Sequence, residues 1–428
     1  MEHLISVLFI IEFILIVLIF FHGVFKAGLT FKGGISFGLL FFVFIPLWVM
    51  ILTGKIVLSK ADFGSTELSD VVLANNIETS FILLTYILAV IIYLYIPTGF
   101  DNKRGRASLR LNLKLYLLIY LITMLIVLVG SGLLSGGNWY GSRHEFLVSS
   151  SLAVLIAYIL NAAKILVIVS LISKWLHKEI SLTRFVVLVG TFTFWDMIFS
   201  GNRIYLFCTA IIVSIIYLRK FPLRTLISIP LLLPLVFYGG YFASIFRHMR
   251  GPLFEKGFPT VQIFLDNLER AMELEPPDPE SFFLGISESV NVNVMYDIFN
   301  HYENYLYGAT YLKTLFFYVP RSLWEAKPES ITVIAAKTFG GSSLVTTIIG
   351  EMHMNFSLFG ILLLPILLWS SEWFLSGCLK NYPKIFGVVL FFFGLLMFRM
   401  PYSDELLVFV FLILILFFSN LKIKYRTQ

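Results

Sequence analysis

The strongest constraint on this chain is a repeated one: run after run of about 20 mostly apolar residues, the length needed to cross a bilayer core. Eleven such runs are legible, at roughly 4–22, 34–53, 79–99, 113–135, 147–174, 181–199, 203–219, 225–246, 357–377, 382–398 and 402–420. A backbone in lipid must satisfy its own hydrogen bonds, so runs of this length read as helices. The predicted fold is an all-α polytopic membrane protein. A composition of 58% hydrophobic and 14% charged residues, with a mean hydropathy of +0.88, excludes an ordinary soluble domain. The first run lacks a basic flank and a small-residue cleavage site, so it is expected to stay as a span rather than leave as a signal peptide.

Lysine and arginine set the expected orientation. With the N-terminus outside, eighteen fall in cytoplasmic segments, among them Lys26, Lys32, Lys174, Lys178, Arg219, Lys220, Lys380 and Lys384. The short external loops hold only Lys55, Lys60, Arg143, Arg203 and Arg399. The expected topology is therefore N-terminus outside, C-terminus in the cytoplasm, and one long extracytoplasmic loop. That divides the chain into a bundle over 1–246, a loop subdomain over 247–356, and three further spans with a short tail over 357–428. Cytoplasmic connections are short, and no Walker or dinucleotide-binding glycine pattern appears. An ATP motor within this chain is excluded, and the net charge of +6 sorts by loop rather than pointing to nucleic acid.

The long loop reads as folded. Val261, Phe264, Leu265, Leu268 and Met272 recur at helical spacing, before the turn Pro276-Pro277-Asp278-Pro279. A second helical pattern runs from about Tyr311 to Tyr318 and stops before Pro320, and the aromatic stretch from Asn291 to Tyr307 is expected to pack. Amphipathic helices on or in the outer leaflet are the expectation. Two cysteines, Cys208 and Cys378, fall near opposite faces and are expected to be unpaired thiols.

Five arginines gather at the external side: Arg203, Arg247, Arg250, Arg321 and Arg399. A guanidinium pairs two phosphate oxygens at once and stays charged, so a convergent group suits an anionic lipid-linked substrate. Taken singly, each also fits a side chain that reaches for lipid headgroups. His248, Glu351 and His353 lie nearby. Glu351 or His353 is placed to take a proton from an attacking hydroxyl, although two residues apart they face different sides of a helix. Glu351 equally suits the positive end of a helix start. No metal-ligand set is visible, and no cofactor is expected. Asp196 and Arg203 flank a tight turn, where a salt bridge would pin a hairpin. Lys164 and Glu372 are charges within spans at comparable depth; an ion pair between them is expected, with a proton or ion pathway as the sharper alternative.

Read together, these segments resemble a known family, the polysaccharide repeat-unit polymerases of the O-antigen and enterobacterial common antigen type. The likeness rests on the eleven-span plan, Gly201-Asn202-Arg203, the late external loop, and Val319-Pro320-Arg321-Ser322-Leu323-Trp324 with Lys327-Pro328. It includes Gly350-Glu351 with Asn355-Phe356 and Gly360, and Arg399 before Pro401. The arginine-to-glycine spacing found in external loops of some members is missing at Arg247, Arg250 and Arg321. The resemblance implies a GT-C-like membrane glycosyltransferase of the bacterial inner membrane, independent of metal. It would pass a growing glycan from undecaprenyl diphosphate to the non-reducing end of a new lipid-linked repeat unit. Arg203, Arg247, Arg250, Arg321 and Arg399 would hold the diphosphate, and Glu351, His353 and Arg321 would carry the chemistry. A flippase and a chain-length regulator are the implied partners besides the lipid-linked oligosaccharide and the bilayer. An O-antigen ligase and a non-enzymatic flippase or transporter of lipid-linked sugars remain the alternatives.

Overall fold

The computed structural model describes residues 2–53, 55–57, 65–67, 77–97, 111–133, 142, 146, 150–200, 204–222, 260–272, 289–319, 323–339 and 346–420. Eight helical stretches among them are long and apolar enough to cross a membrane. In chain order the helices are α1 Glu2–Ala27, α2 Phe31–Leu39, α3 Ile45–Thr53, α4 Ile77–Tyr95, α5 Leu113–Gly130, α6 Ser151–Leu176, α7 Leu182–Ser200 and α8 Ile204–Lys220. They continue as α9 Val261–Met272, α10 Ser289–His301, α11 Ala309–Leu315, α12 Ile331–Phe339, α13 Ile348–Phe356, α14 Gly360–Leu379, α15 Phe386–Leu396 and α16 Tyr402–Ser419. A small antiparallel ribbon, Lys55–Val57 with Ser65–Glu67, follows α3. The expected run at 225–246 lies outside the described residues. The run at 382–398 contains only the 11-residue α15, about 16 Å at 1.5 Å per residue and too short to cross alone.

Each span is amphipathic toward protein rather than toward water. In α1, Ile5, Phe9, Ile16, Phe20 and Val24 are buried, while Leu4, Val7, Ile11, Ile14, Leu18 and Phe25 are exposed. An uncovered apolar face of this extent suits lipid contact. Helices α2 and α3 form one span joined through a π-helical turn, Leu40–Phe44. Pro46, which has no N–H to donate and whose ring crowds the turn before it, follows directly; the wider turn absorbs that conflict.

The tightest helix pair rests on glycine. Gly34 and Gly38 on α2 meet Gly394 on α15, and Gly387 abuts the Leu29 carbonyl just before α2; a Cβ at Gly394 would fall 2.5 Å from the Phe31 carbonyl and one at Gly38 2.9 Å from that of Leu395. Only glycine permits backbones this close, the packing that a small-xxx-small spacing favours in membranes. Gly34 abuts Phe391 and Gly38 abuts Leu395 and Phe398, so the two helices run parallel. Helices α4 and α14 are also parallel, since Tyr86 bonds the Ser357 carbonyl at 2.8 Å and Tyr93 bonds Glu372 at 2.7 Å. The start of α4 and the start of α14 therefore share one end of the bundle.

The other end is basic. Lys174 and Lys384 both bind Glu179, at 3.0 and 2.9 Å, Arg219 closes on Gly28, and Lys32 caps the α4 carbonyls of Leu94 and Ile96. Cys378 belongs to this end of α14 and Cys208 to the opposite end of α8; both are free thiols.

The pairing expected between Lys164 and Glu372 is corrected. Lys164 on α6 binds Asp196 on α7 at 2.9 Å with both side chains almost fully buried, and lies 4.6 Å over the Tyr205 ring. Asp196 also accepts from Tyr120 at 3.0 Å, and Glu372 takes its proton donor from Tyr93 on α4. The reason is helix order: α6 is flanked by α5, α7 and α16, whereas α14 is flanked by α4, α13 and α15. The Asn291–Tyr307 stretch of the long loop packs as expected, and its helix α10 goes further, into the bundle rather than only on or into the outer leaflet. Its Val292, Val294, Met295, Tyr296 and Ile298 are 0–2% exposed, wedged between α4, α13 and the π turn. The amphipathic α9 keeps Val261, Phe264 and Leu265 exposed.

Replacing Lys164 by Met alone leaves Asp196 charged and buried, at a cost of about 3–5 kcal/mol. The expected result is a large loss of membrane abundance and thermal stability, recovered by the double change Lys164→Met, Asp196→Leu. Equal loss in the double variant would show that the pair is required as charges.

Hydrogen bonds from Lys384 and then Lys174 hold the Glu179 carboxyl at about 2, below its ordinary 4.5. A depressed carboxyl adds stability above its ordinary value and loses it as pH falls through its folded one. The α6–α7 and α14–α15 connections should thus stay linked at pH 4 and part near pH 2. A carbon-13 carboxyl titration reads this directly, with Lys384→Met moving the midpoint upward.

Candidate functional site

At the end of the bundle away from the basic cluster, α13 brings Glu351 and His353 into the interior. Thr347 caps the helix by accepting from the Gly350 N–H at 3.3 Å, and the Ile348 N–H donates to the Met397 carbonyl at 3.0 Å. Everything from Ile348 to Asn355 is buried. The helix breaks at Ser357, whose φ of 52° is rare for a residue with a side chain. Tyr86 holds that carbonyl, and Gly360 starts α14 so close beneath the Tyr86 hydroxyl that a Cβ would fall 2.5 Å from it.

Glu351 is fully buried with both oxygens engaged. Oε1 accepts from the Thr310 hydroxyl of α11 at 3.1 Å, and Oε2 accepts from the Ser403 N–H in the first turn of α16 at 3.2 Å. Asn355 donates to Thr310 and to the Glu351 carbonyl, each at 2.9 Å. The carboxylate thereby caps the positive end of a helix other than its own. In this arrangement Glu351 joins α11, α13 and α16.

His353 faces the other way, as the two-residue separation requires. It is 3% exposed, with the rings of Phe299, Tyr86 and Tyr305 around it at 4.9, 6.1 and 6.1 Å. Its Nδ1 has no hydrogen-bonding partner. Glu351 and His353 therefore do not form one catalytic pair.

Arg399 occupies the turn between α15 and α16, its N–H bonded to the Leu396 carbonyl at 2.8 Å. Arg203, Arg247, Arg250 and Arg321, with His248, lie outside the described residues, as does the Asp196–Arg203 contact. The Lys327 ammonium donates to the carbonyls of Phe317 and Val319 at 2.9 and 2.7 Å.

Sequence reasoning missed Thr310, Tyr402, Asp404 and Glu405. Asp404 accepts from Tyr158 on α6 at 2.9 Å, and Tyr402 shares a 2.9 Å hydrogen bond with Ser371. The available signal was Ser403-Asp404-Glu405, a polar triplet opening an otherwise apolar run. Helix-dipole logic reads such acids as ordinary first-turn residues. Among the described residues no three His, Cys, Asp or Glu side chains converge as a metal site.

No family model, curated protein or solved structure matches this chain.

Two variants of Glu351 separate its roles. Glu351→Gln keeps an acceptor for the Ser403 N–H and should retain abundance and thermal stability close to the parent. Glu351→Ala removes the cap from the Ser403 N–H and one of the Thr310 hydrogen bonds, with an expected cost of about 1–3 kcal/mol. A folded, abundant Glu351→Gln protein without activity would show instead that its charge serves chemistry.

Proposed function

We propose that this chain is a polymerase of lipid-linked oligosaccharide repeat units, a GT-C-like glycosyltransferase with eleven spans acting on the extracytoplasmic face of a bacterial inner membrane. The observation that carries the reading is the position of Arg399: a half-buried arginine in the turn between α15 and α16, at the end of the bundle remote from the Lys174–Glu179–Lys384 cluster. By the positive-inside rule the basic end faces the cytoplasm, which places Arg399, α10 and α13 outside. The sequence resemblance supplies the substrate class, undecaprenyl-diphosphate-linked oligosaccharide.

The chemistry follows from the substrate. Energy resides in the sugar–diphosphate bond, so no nucleotide is needed. As that bond breaks, positive charge grows on the sugar and negative charge on the leaving diphosphate. Fixed guanidinium groups stabilise the latter, Arg399 together with Arg203, Arg247, Arg250 and Arg321. The acceptor hydroxyl gives its proton to a base. Of the original pair, Glu351 is tied to Thr310 and Ser403, and His353, whose Nδ1 has no hydrogen-bonding partner, is the group assigned to take that proton. A flippase supplies the substrate and a chain-length regulator limits the product.

A second reading has its own observation. Transporters place charged groups within the bilayer and interrupt their helices there. Here α13 breaks from α14 at Ser357, and Glu351, Glu405, Glu372, Lys164 and Asp196 are all buried. A carrier of lipid-linked sugars fits those features.

One reconstitution decides between them. Purified protein in liposomes, given undecaprenyl-diphosphate-linked repeat units and excess chelator, is expected to produce a polymer ladder. Arg399→Lys should lower the rate a hundredfold or more at normal abundance, about 3 kcal/mol, because a point charge loses the two-pronged contact. Movement of intact substrate across the bilayer without polymer would establish the carrier. Transfer to lipid A–core alone would establish a ligase.

A further inference from the structure

The basic end of the bundle holds more positive charge than its fold uses. Two connections meet there, α6 to α7 and α14 to α15, joined by Glu179, which binds Lys174 and Lys384 at 3.0 and 2.9 Å. Residues 174–184 and 380–386 carry five cations, Lys174, Lys178, Arg184, Lys380 and Lys384, against the single carboxylate of Glu179. Lys178, Arg184 and Lys380 are exposed and make no ion pair among the described residues. Other cations at this end are committed elsewhere, Lys32 to the α4 carbonyls and Arg219 against Gly28.

Folding does not account for the surplus. The three side chains of the Glu179 bridge are 34–40% exposed, and ion pairs this open to solvent contribute little. Lys178 works against its own backbone. It takes φ 59°, the left-handed position after a helix that glycine usually fills. The turn closes α6 through N–H groups of His177, Lys178 and Glu179, which donate to the carbonyls of Ser173, Trp175 and Lys174. A lysine kept where glycine fits more easily points to a use for its charge.

The surroundings set what meets that charge. Arg184 is followed on α7 by the exposed Val186 and Val187, and Lys380 and Lys384 follow the exposed Trp373 and Phe374 of α14. Trp175 stacks on Phe185 and Tyr217 at 4.9 and 5.8 Å, an aromatic layer of the kind found at a membrane–water boundary. The cations therefore stand at the rim of the lipid-facing surface. An acyl chain lying on α7 or α14 puts its headgroup among them, whereas a soluble anion has no use for the apolar rim.

We propose that the α6–α7 and α14–α15 connections together bind the phosphate of an anionic phospholipid whose chains lie on the exposed faces of α7 and α14. Arg184 supplies the planar fork that pairs two phosphate oxygens, and Lys178 and Lys380 supply point charges. Glu179 opposes the ligand, since it occupies Lys174 and Lys384 and repels the phosphate. The site does not rest on the polymerase reading or on which leaflet the basic end faces.

Cardiolipin titrated onto the full chain in detergent, with bound lipid counted by native mass spectrometry, tests the site. Cardiolipin is expected to bind, phosphatidylcholine to bind far less, and inorganic phosphate to leave the lipid in place. Lys178→Gly should weaken cardiolipin binding about fivefold, the effect of one cation near an anionic headgroup. Its thermal stability should hold or rise, because glycine relieves the turn. Lys178→Gly combined with Arg184→Gln should weaken binding about 25-fold, and Glu179→Gln should tighten it. Equal affinity of parent and double variant overturns the site, as does equal affinity for phosphatidylcholine. Displacement of cardiolipin by inorganic phosphate shows a soluble-anion site and overturns the lipid. A Glu179→Gln chain that binds no more tightly than the parent overturns the charge argument.

Discussion

The Glu351 carboxylate is the tie on which one end of this molecule depends. A bilayer interior offers no water to complete an unfinished helix end, so each exposed N–H or charge must find a protein partner. Glu351 meets that demand for two elements at once, ending the need of a Ser403 N–H and fixing Thr310. Because it belongs to α13 but serves α16, it transmits position between helices far apart in sequence. The break at Ser357, the cap at Thr347 and the Ile348–Met397 contact follow from keeping that carboxylate where the three helices cross.

Two other constraints organise the rest. Glycines at 34, 38, 387 and 394 let α2 and α15 approach until their carbonyls meet opposing backbone, which gives packing contacts where no hydrophobic effect drives helices together. The Lys164–Asp196 pair, with Tyr120 and Tyr205, joins α6 to α7, α5 and α8. A pair buried this deeply contributes little net stability but penalises any arrangement that separates its members. It therefore specifies which helices adjoin more than it strengthens their contact.

The periodicity of hydrophobic runs made the helical membrane architecture legible, and the helix over Val261–Met272 could be read from its spacing alone. Partner choice was not legible. Lys164 and Glu372 have matching depths, and depth is all that a one-dimensional sequence gives; the angular order of helices around the bundle put Asp196 beside Lys164. That the Asn291–Tyr307 stretch packs was legible from its aromatic content, but not that Val292, Met295, Tyr296 and Ile298 enter the bundle itself. The GxxxG spacing of Gly34 and Gly38 was present in the sequence, but its partner across the bundle lies some 350 residues away. Glu351 and His353 were identified correctly as residues on different helix faces, while the weight carried by Asp404 and Glu405 depended on neighbours that only folding brings.

The contrast between Glu351 and Glu405 explains how one interior accommodates both. Each is a glutamate in the first turn of a helix, so the dipole favours negative charge at both. At Glu351 that preference is reinforced by a neighbouring helix end and a hydroxyl, and the carboxylate becomes part of the framework. At Glu405 the dipole acts alone against complete burial and against the nearby Glu351. A helix end contributes roughly 0.3–2 kcal/mol, whereas an unpaired buried charge costs several times that. The same residue type is thus tied into the framework by two partners in one place and left without a hydrogen-bonding partner in the other.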